Sequence, residues 1–312
     1  MEWQTKIFPK KEIKFSYTDN ILFIGSCFAE NMGEKFVRYG FSSLVNPFGI
    51  LFNPISIANC LDRCMKNQPI TDEELVFHHN LWHSYLHHGD FSRTEKECCI
   101  NDCNESIVST NSFLENTNVL IITLGTAFVY YTKNGIPVAN CHKIPNTEFA
   151  KKLCKVEEIV SCYKKLIDDV QKINPEIKIL FTVSPIRHWK DGYRENQVSK
   201  STLHLAIQEL EEAFPSVYYF PSYEIVMDEL RDYRFYAEDM LHLTKITIDY
   251  IWEKFSDTYF SQETNAIISD MEKYRKMKEH RSINKELEEN HLKNIAVLKD
   301  NLLKKHPFLK IS

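Results

Sequence analysis

Val119-Leu120-Ile121-Ile122-Thr123-Leu124 is an unbroken, almost wholly apolar run that ends at Gly125-Thr126. Without polar alternation, such a run fits a strand covered on both faces, and strands of that kind belong to parallel sheets layered between helices. Two more segments read the same way. Ile21-Leu22-Phe23-Ile24 precedes Gly25-Ser26, and Lys178-Ile179-Leu180-Phe181-Thr182-Val183 leads into Ser184-Pro185. Val217 to Phe220 supplies a fourth strand. Between them the spacing predicts helices over Ala29 to Tyr39, closed by Gly40, over Ile55 to Lys66, and over Gln197 to Ala213. Val156 to Ile173 is a further helix, with Ile159, Tyr163, Leu166, Ile167 and Val170 on one face and Asn174-Pro175 as its stop. The alternation predicts an α/β fold, a doubly wound parallel sheet. Strand ends at Ser26, Gly125 and Ser184 then open on one edge, where such sheets bind ligands.

The rest of the chain is less regular. Asn46 to Pro54 is a turn-rich loop bracketed by two Asn-Pro dipeptides, and residues 70 to 103 read as an aromatic, histidine-rich, irregular excursion over one end of the sheet. From about Ser261 the composition shifts. Met271 to Lys305 is dense in Lys, Glu, Arg and Asn, with Leu287, His291, Ile295 and Leu298 at helical spacing. The expected division is a main domain over 1–260 and a charged helical extension over 261–312, packed on the body or used for self-association in a homo-oligomer.

Composition narrows the function classes. A chain of 312 residues, 43% apolar and 26% charged, can bury one large core and is not generally disordered. A net charge of −5 offers no basic field for nucleic acid or an anionic membrane. No apolar stretch of signal-peptide length follows Met1 to Lys6, and the longest apolar runs are strand-sized. The expectation is a cytoplasmic protein. The nine cysteines, Cys27, Cys60, Cys64, Cys98, Cys99, Cys103, Cys141, Cys154 and Cys162, are odd in number and read as free thiols. Cys98, Cys99 and Cys103 lie near His78, His79, His83, His87 and His88, but no paired CxxC elements occur. The histidines are therefore read as a polar, partly exposed surface, with no metal site.

Chemistry concentrates at two places. Asn20 to Glu30 reads as a strand, a tight glycine turn and a helix start carrying Ser26 and Cys27. A nucleophile there sits beside the free N–H groups of a helix N-terminus, which suits carbonyl attack and oxyanion stabilisation. Ser26 equally suits a helix cap. Cys27 is a rival nucleophile, though a small buried thiol more often packs a core. Asp239-Met240-Leu241-His242 places an acid and an imidazole on one side of a turn, where Asp239 can fix the tautomer of His242; a surface ion pair is the plainer reading. Asn140-Cys141-His142 is placed to line the mouth of the cleft or to shape a turn. Arg187 and His188 follow the third buried strand, where Arg187 suits a substrate carboxylate or phosphate, or a salt bridge. Asn196, Ser199 and Lys200 open a helix.

Gly25-Ser26-Cys27-Phe28-Ala29, the Asn46 to Pro54 loop, Leu124-Gly125-Thr126, Asn140-Cys141-His142, Ser184 to His188 and Asp239 to His242 together resemble the GSCFA family, over roughly residues 20 to 255. That family resembles the SGNH, or GDSL-like, hydrolases, which are esterases on a flavodoxin-like, three-layer α/β/α sheet. The resemblance implies Ser26 as nucleophile, His242 as general base, Asp239 as its partner and no cofactor, with an ester substrate such as an O-acetyl group on a carbohydrate. Two blocks depart from the pattern. The usual Gly-Asp-Ser reads Gly25-Ser26 here, and no asparagine follows Gly125-Thr126. The oxyanion donors expected are the Ser26 N–H with Gly49 and either Thr126 or Asn140; Gly125, His142, Arg187 and His188 are expected at the oxyanion or the substrate, His142 alternatively in place of His242. An O-acyltransferase with the same triad and a catalytically silent scaffold remain open beside the hydrolase.

Overall fold

The structure is a computed structural model that describes residues 5–280 and 285–311. Met1 to Gln4 and the side chain of Leu287 lie outside the described residues. Five strands make the central sheet: β1 (Asn20–Gly25), β2 (Ser42–Val45), β5 (Val119–Leu124), β9 (Lys178–Val183) and β10 (Val217–Tyr219). Their order is β10-β9-β5-β1-β2, every neighbouring pair parallel. This is the doubly wound arrangement, and its order reverses between β1 and β5. Helices α1 (Cys27–Arg38), α2 (Pro54–Met65), α3 (Lys96–Leu114), α4 (Val156–Ile173) and α5 (Tyr193–Ala213) connect it. A short turn α6 (Ser222–Glu224) leads to α7 (Lys245–Tyr259), α8 (Gln262–Glu279) and α9 (Lys285–Lys305). Two small antiparallel additions stand apart: a hairpin of β3 (Leu75–His78) and β4 (Leu81–Ser84), and a trio of β6 (Phe128–Thr132), β7 (Pro137–Val138) and β8 (Phe149–Leu153).

The period of two along the buried strands sorts their side chains into two cores. Leu22, Ile24, Leu120, Ile122, Phe181 and Val183 join the apolar faces of α2 to α5. Ile21, Phe23, Val119, Ile121 and Leu180 join α1, α7 and α8, where Phe36, Trp252, Phe255 and Phe260 interlock edge to face. The C-terminal helices share that second core: Met271, Tyr274, Leu302 and Leu309 are all buried in it. The Lys310 N–H also bonds the Gly40 carbonyl at 2.9 Å.

Several elements differ from expectation. Helix α1 starts at Cys27, because Ser26 is its N-cap, and α5 starts at Tyr193. Residues 70 to 103 are not irregular throughout: they hold the β3–β4 hairpin and the start of α3. Of their five histidines, His79 is exposed and His78 and His88 are half-buried, but two are not part of a polar surface. His83 and His87 are 5% and 0% exposed. His87 lies between the hydroxyls of Ser84 and Ser106, at 3.0 and 3.1 Å, and burial pushes its pKa down to about 3. All nine cysteines are free, and among the described residues no group of three or more His, Cys, Asp or Glu side chains could hold a metal ion. Among the described residues no helix is long and apolar enough to cross a membrane.

Candidate functional site

The turn after β1 is built from backbone. Gly25 has φ 139°, and a Cβ there would meet the Thr123 carbonyl oxygen at 2.2 Å, so only glycine lets β1 and β5 close at this end. Asn46 Oδ1 accepts the Gly25 N–H at 2.9 Å, and the Leu51 N–H donates to the Gly25 carbonyl at 2.8 Å. The 46–54 loop is thereby stitched to the strand end. Ser26 then caps α1, its Oγ accepting the Phe28 N–H at 3.2 Å, and only 1% of the residue is exposed. Cys27, the first residue of α1, is half-buried.

This placement separates the two nucleophile candidates. The Ser26 hydroxyl is buried and serves as the cap. Its N–H, expected as an oxyanion donor, already donates to the Thr123 carbonyl at 3.2 Å. The Cys27 N–H is the first of the helix and lies outside the intrahelical ladder. Burial and the neighbouring Glu30 carboxylate push the Cys27 thiol up to about 11, against the pull of its own N–H, of the Lys200 ammonium and of the Phe28 N–H.

Lys200 is the least expected member of the site. It projects from α5, is 0% exposed, and donates from Nζ to the carbonyls of Gly125 at 2.7 Å and Ser184 at 2.6 Å. One ammonium therefore ties the ends of β5 and β9 together beside Cys27. Ser199 works next to it, its Oγ accepting the Ala127 N–H at 2.7 Å and sharing a hydrogen bond with Thr126 Oγ1 at 3.0 Å. Asn196, Ser199 and Lys200 are all buried although they are polar. Their i, i+3, i+4 spacing on one helix face was the available signal.

Burial and then the Arg187 charge bring the Lys200 pKa down to about 7. In the unfolded chain the ammonium keeps its proton to about 10.4. Between those values the unfolded state binds more protons, so this group makes stability rise with pH, and below pH 7 it opposes folding. Wild type should therefore gain stability relative to Lys200→Met as pH goes from 7 to 9.5, by on the order of 2–3 kcal/mol in urea titrations. A difference that does not change with pH would contradict the assignment.

The Asp239–His242 loop holds the imidazole expected as base. His242 Nδ1 lies 2.5 Å from Asp239 Oδ2, while Asp239 Oδ1 accepts the N–H groups of Leu241 and His242, both at 2.9 Å. Those donors, the imidazole foremost, hold the Asp239 carboxyl down at about 2. With Nδ1 engaged, Nε2 is the nitrogen left to exchange a proton with substrate. Both side chains are about half exposed, on a loop where Met240 has φ 59°. The His188 ring stands 6.3 Å from His242 and 5.9 Å from Phe52. Burial, then the charges of Lys190 and Lys200, lower the His188 pKa. His188 thus stands between the His242 imidazole and Phe52, whose carbonyl accepts the Gly125 and Thr126 N–H groups. No hydrogen bond joins His242 to Ser26 or Cys27 among the described residues; catalytic contacts often tighten only when substrate is bound.

The remaining expected donors have other partners. The Gly49 N–H donates to the Asn46 carbonyl at 2.7 Å, and the Gly125 and Thr126 N–H groups both donate to the Phe52 carbonyl, at 2.8 and 3.0 Å. Asn140 Oδ1 accepts the His142 N–H at 2.9 Å, shaping the turn. His142 is buried, with Nε2 2.8 Å from the Ser84 carbonyl and its ring stacked on His83. Arg187 makes no salt bridge among the described residues: it bonds Asn196 Oδ1 at 3.2 Å and the Tyr193 carbonyl at 3.3 Å.

Comparison with known proteins adds three findings. A family 3 carbohydrate esterase of Clostridium thermocellum is similar in structure at 15% identity and a TM-score of 0.29, over 52% of this chain and 63% of that one. This chain thus spans less than two thirds of that esterase's length. No curated protein matches. The GSCFA family model matches residues 20–255, the segment that carries the sheet, the Ser26-Cys27 turn and the Asp239–His242 loop. The chain belongs to the GSCFA family.

Proposed function

We propose that this protein is an ester hydrolase that works by acyl transfer to Cys27, with His242 as general base and Asp239 as its orienting partner. The observation that carries this reading is the Asp239–His242 pair, with Nδ1 engaged by the carboxylate and the imidazole 6.3 Å from His188, which follows β9. Cys27 is preferred to Ser26 because Ser26 is 1% exposed, its Oγ turned back to accept the Phe28 N–H, whereas Cys27 is half-buried. The register agrees: in Gly-Asp-Ser the nucleophile stands second after glycine, and Cys27 stands second after Gly25.

His242 Nε2 takes the thiol proton as Sγ adds to the ester carbonyl carbon. The tetrahedral intermediate collapses, the C–O bond breaks, and the imidazolium gives its proton to the leaving alkoxide. Water then loses a proton to His242 and adds to the thioester carbonyl. The S–C bond breaks, the carboxylic acid leaves, and the proton returns to sulfur. The Cys27 N–H is the oxyanion donor in this scheme, and because burial and the Glu30 carboxylate keep the thiol protonated, His242 has to take its proton as sulfur attacks. An O-acetyl group on a carbohydrate is the substrate class that the hydrolase resemblance suggests.

A binding protein without turnover is the second reading. It draws on the backbone acceptors already taken up by the N–H groups of Ser26, Gly49, Gly125 and Thr126. Turnover of an aryl acetate separates the two. Wild type should hydrolyse it, and His242→Gln should lower kcat/KM by about 10³-fold or more, with Asp239→Asn intermediate. No hydrolysis by wild type above the uncatalysed rate would favour the silent scaffold.

A further inference from the structure

A cavity of about 300 Å³ adjoins the dyad. Met240 and Leu241, the two residues between Asp239 and His242, form part of its wall, and Arg187, next to His188, forms another. Trp189, Tyr233 and Tyr236 supply aromatic surface. The volume suits a small planar or branched group, at the low end of ligand pockets.

The charges in the wall are unequal in their partners. Arg231 is paired with Asp228 at 3.3 Å, and Asp232 with Arg234 at 2.9 Å, so these four largely cancel. Among the described residues, Arg187 is held by neutral acceptors, Asn196 Oδ1 and the Tyr193 carbonyl, with its guanidinium 5.2 Å from the centre of the Trp189 ring. Those bonds fix the fork in place without neutralising it. A guanidinium so held is prepared for a planar or tetrahedral anion, and charge-assisted bonds of this kind are the stronger class.

We propose that this cavity is a recognition subsite for substrates that carry an anionic oxygen group, carboxylate or phosphate, on an apolar or aromatic stem, with Arg187 binding the charge. The inference rests on the ester-hydrolase reading for its reaction, but not for its binding.

The test pairs 4-acetoxybenzoate with its neutral methyl ester. Wild type should prefer the anion in kcat/KM by about tenfold or more. Arg187→Gln should erase that preference, and Arg187→Lys, which keeps charge but loses the fork, should restore part of it. A ratio that is the same in wild type and Arg187→Gln would overturn the proposal. Thermal stabilisation by phenylacetate and by phenyl phosphate reads binding apart from turnover, and tells carboxylate from phosphate recognition. If no ester is hydrolysed but either anion stabilises wild type and not Arg187→Gln, the subsite stands and the hydrolase reading falls. If neither anion stabilises wild type, the subsite is wrong.

Discussion

Cys27→Ala is expected to abolish ester hydrolysis while the protein stays folded. Removing a nucleophile leaves only binding and the oxyanion site, a loss on the order of 10³-fold to 10⁶-fold in kcat. The side chain is half-buried at the first position of α1, so losing one sulfur there removes little packing. Ser26→Ala should behave in the opposite way. It removes the N-cap that accepts the Phe28 N–H, and stability should fall by about 1 kcal/mol with turnover largely retained. Kinetics and urea unfolding on the two variants read both effects. If Ser26→Ala is dead and Cys27→Ala active, the roles are reversed.

Gly25→Ala should be among the most damaging single substitutions in the chain. Its φ of 139° is one that side-chain-bearing residues rarely adopt, and the new methyl would sit 2.2 Å from the Thr123 carbonyl oxygen. That oxygen belongs to β5 backbone and accepts the Ser26 N–H, so it has no freedom to move aside. The end of β1 must separate from β5, and the turn that carries Ser26 and Cys27 moves with it. A loss of about 3 kcal/mol or more is expected, seen as a large fall in the urea midpoint or as insoluble protein. A variant of wild-type stability would show that the turn is far more plastic than this geometry allows.

What could be read from the sequence follows from where each signal comes from. The buried strands at 21–24, 119–124 and 178–183 were legible because two-sided burial demands uninterrupted apolar residues. Helix α4 was legible from a clean apolar stripe. Helix α3 was not, because its sequence is crowded with Ser, Asn, Thr and Cys, which favour helices weakly, and tertiary packing of Cys99, Cys103 and Ile107 holds it. Strand β2 was missed since four half-buried residues carry no periodic signal. At the site, the spacing of Asp239 and His242 announced their pairing, since three residues within a turn bring the groups together. Which of two adjacent residues, Ser26 or Cys27, caps the helix depends on a boundary one residue wide, and sequence patterns do not fix boundaries that finely. Lys200 was hidden for another reason. A lysine is nearly always solvated, and only the carbonyls of Gly125 and Ser184, brought to it by the sheet, explain its burial.

Trapping the acyl-enzyme tests the central claim most directly. The protein is mixed with an excess of aryl acetate, quenched in acid during turnover, and its peptides are mapped by mass spectrometry. The account predicts an acetyl group on the peptide spanning Gly25 to Glu30, attached to Cys27 as a hydroxylamine-sensitive thioester and absent from Cys27→Ala. An acetyl group on Ser26 that survives in Cys27→Ala, or steady turnover with no covalent adduct at this turn, would contradict it.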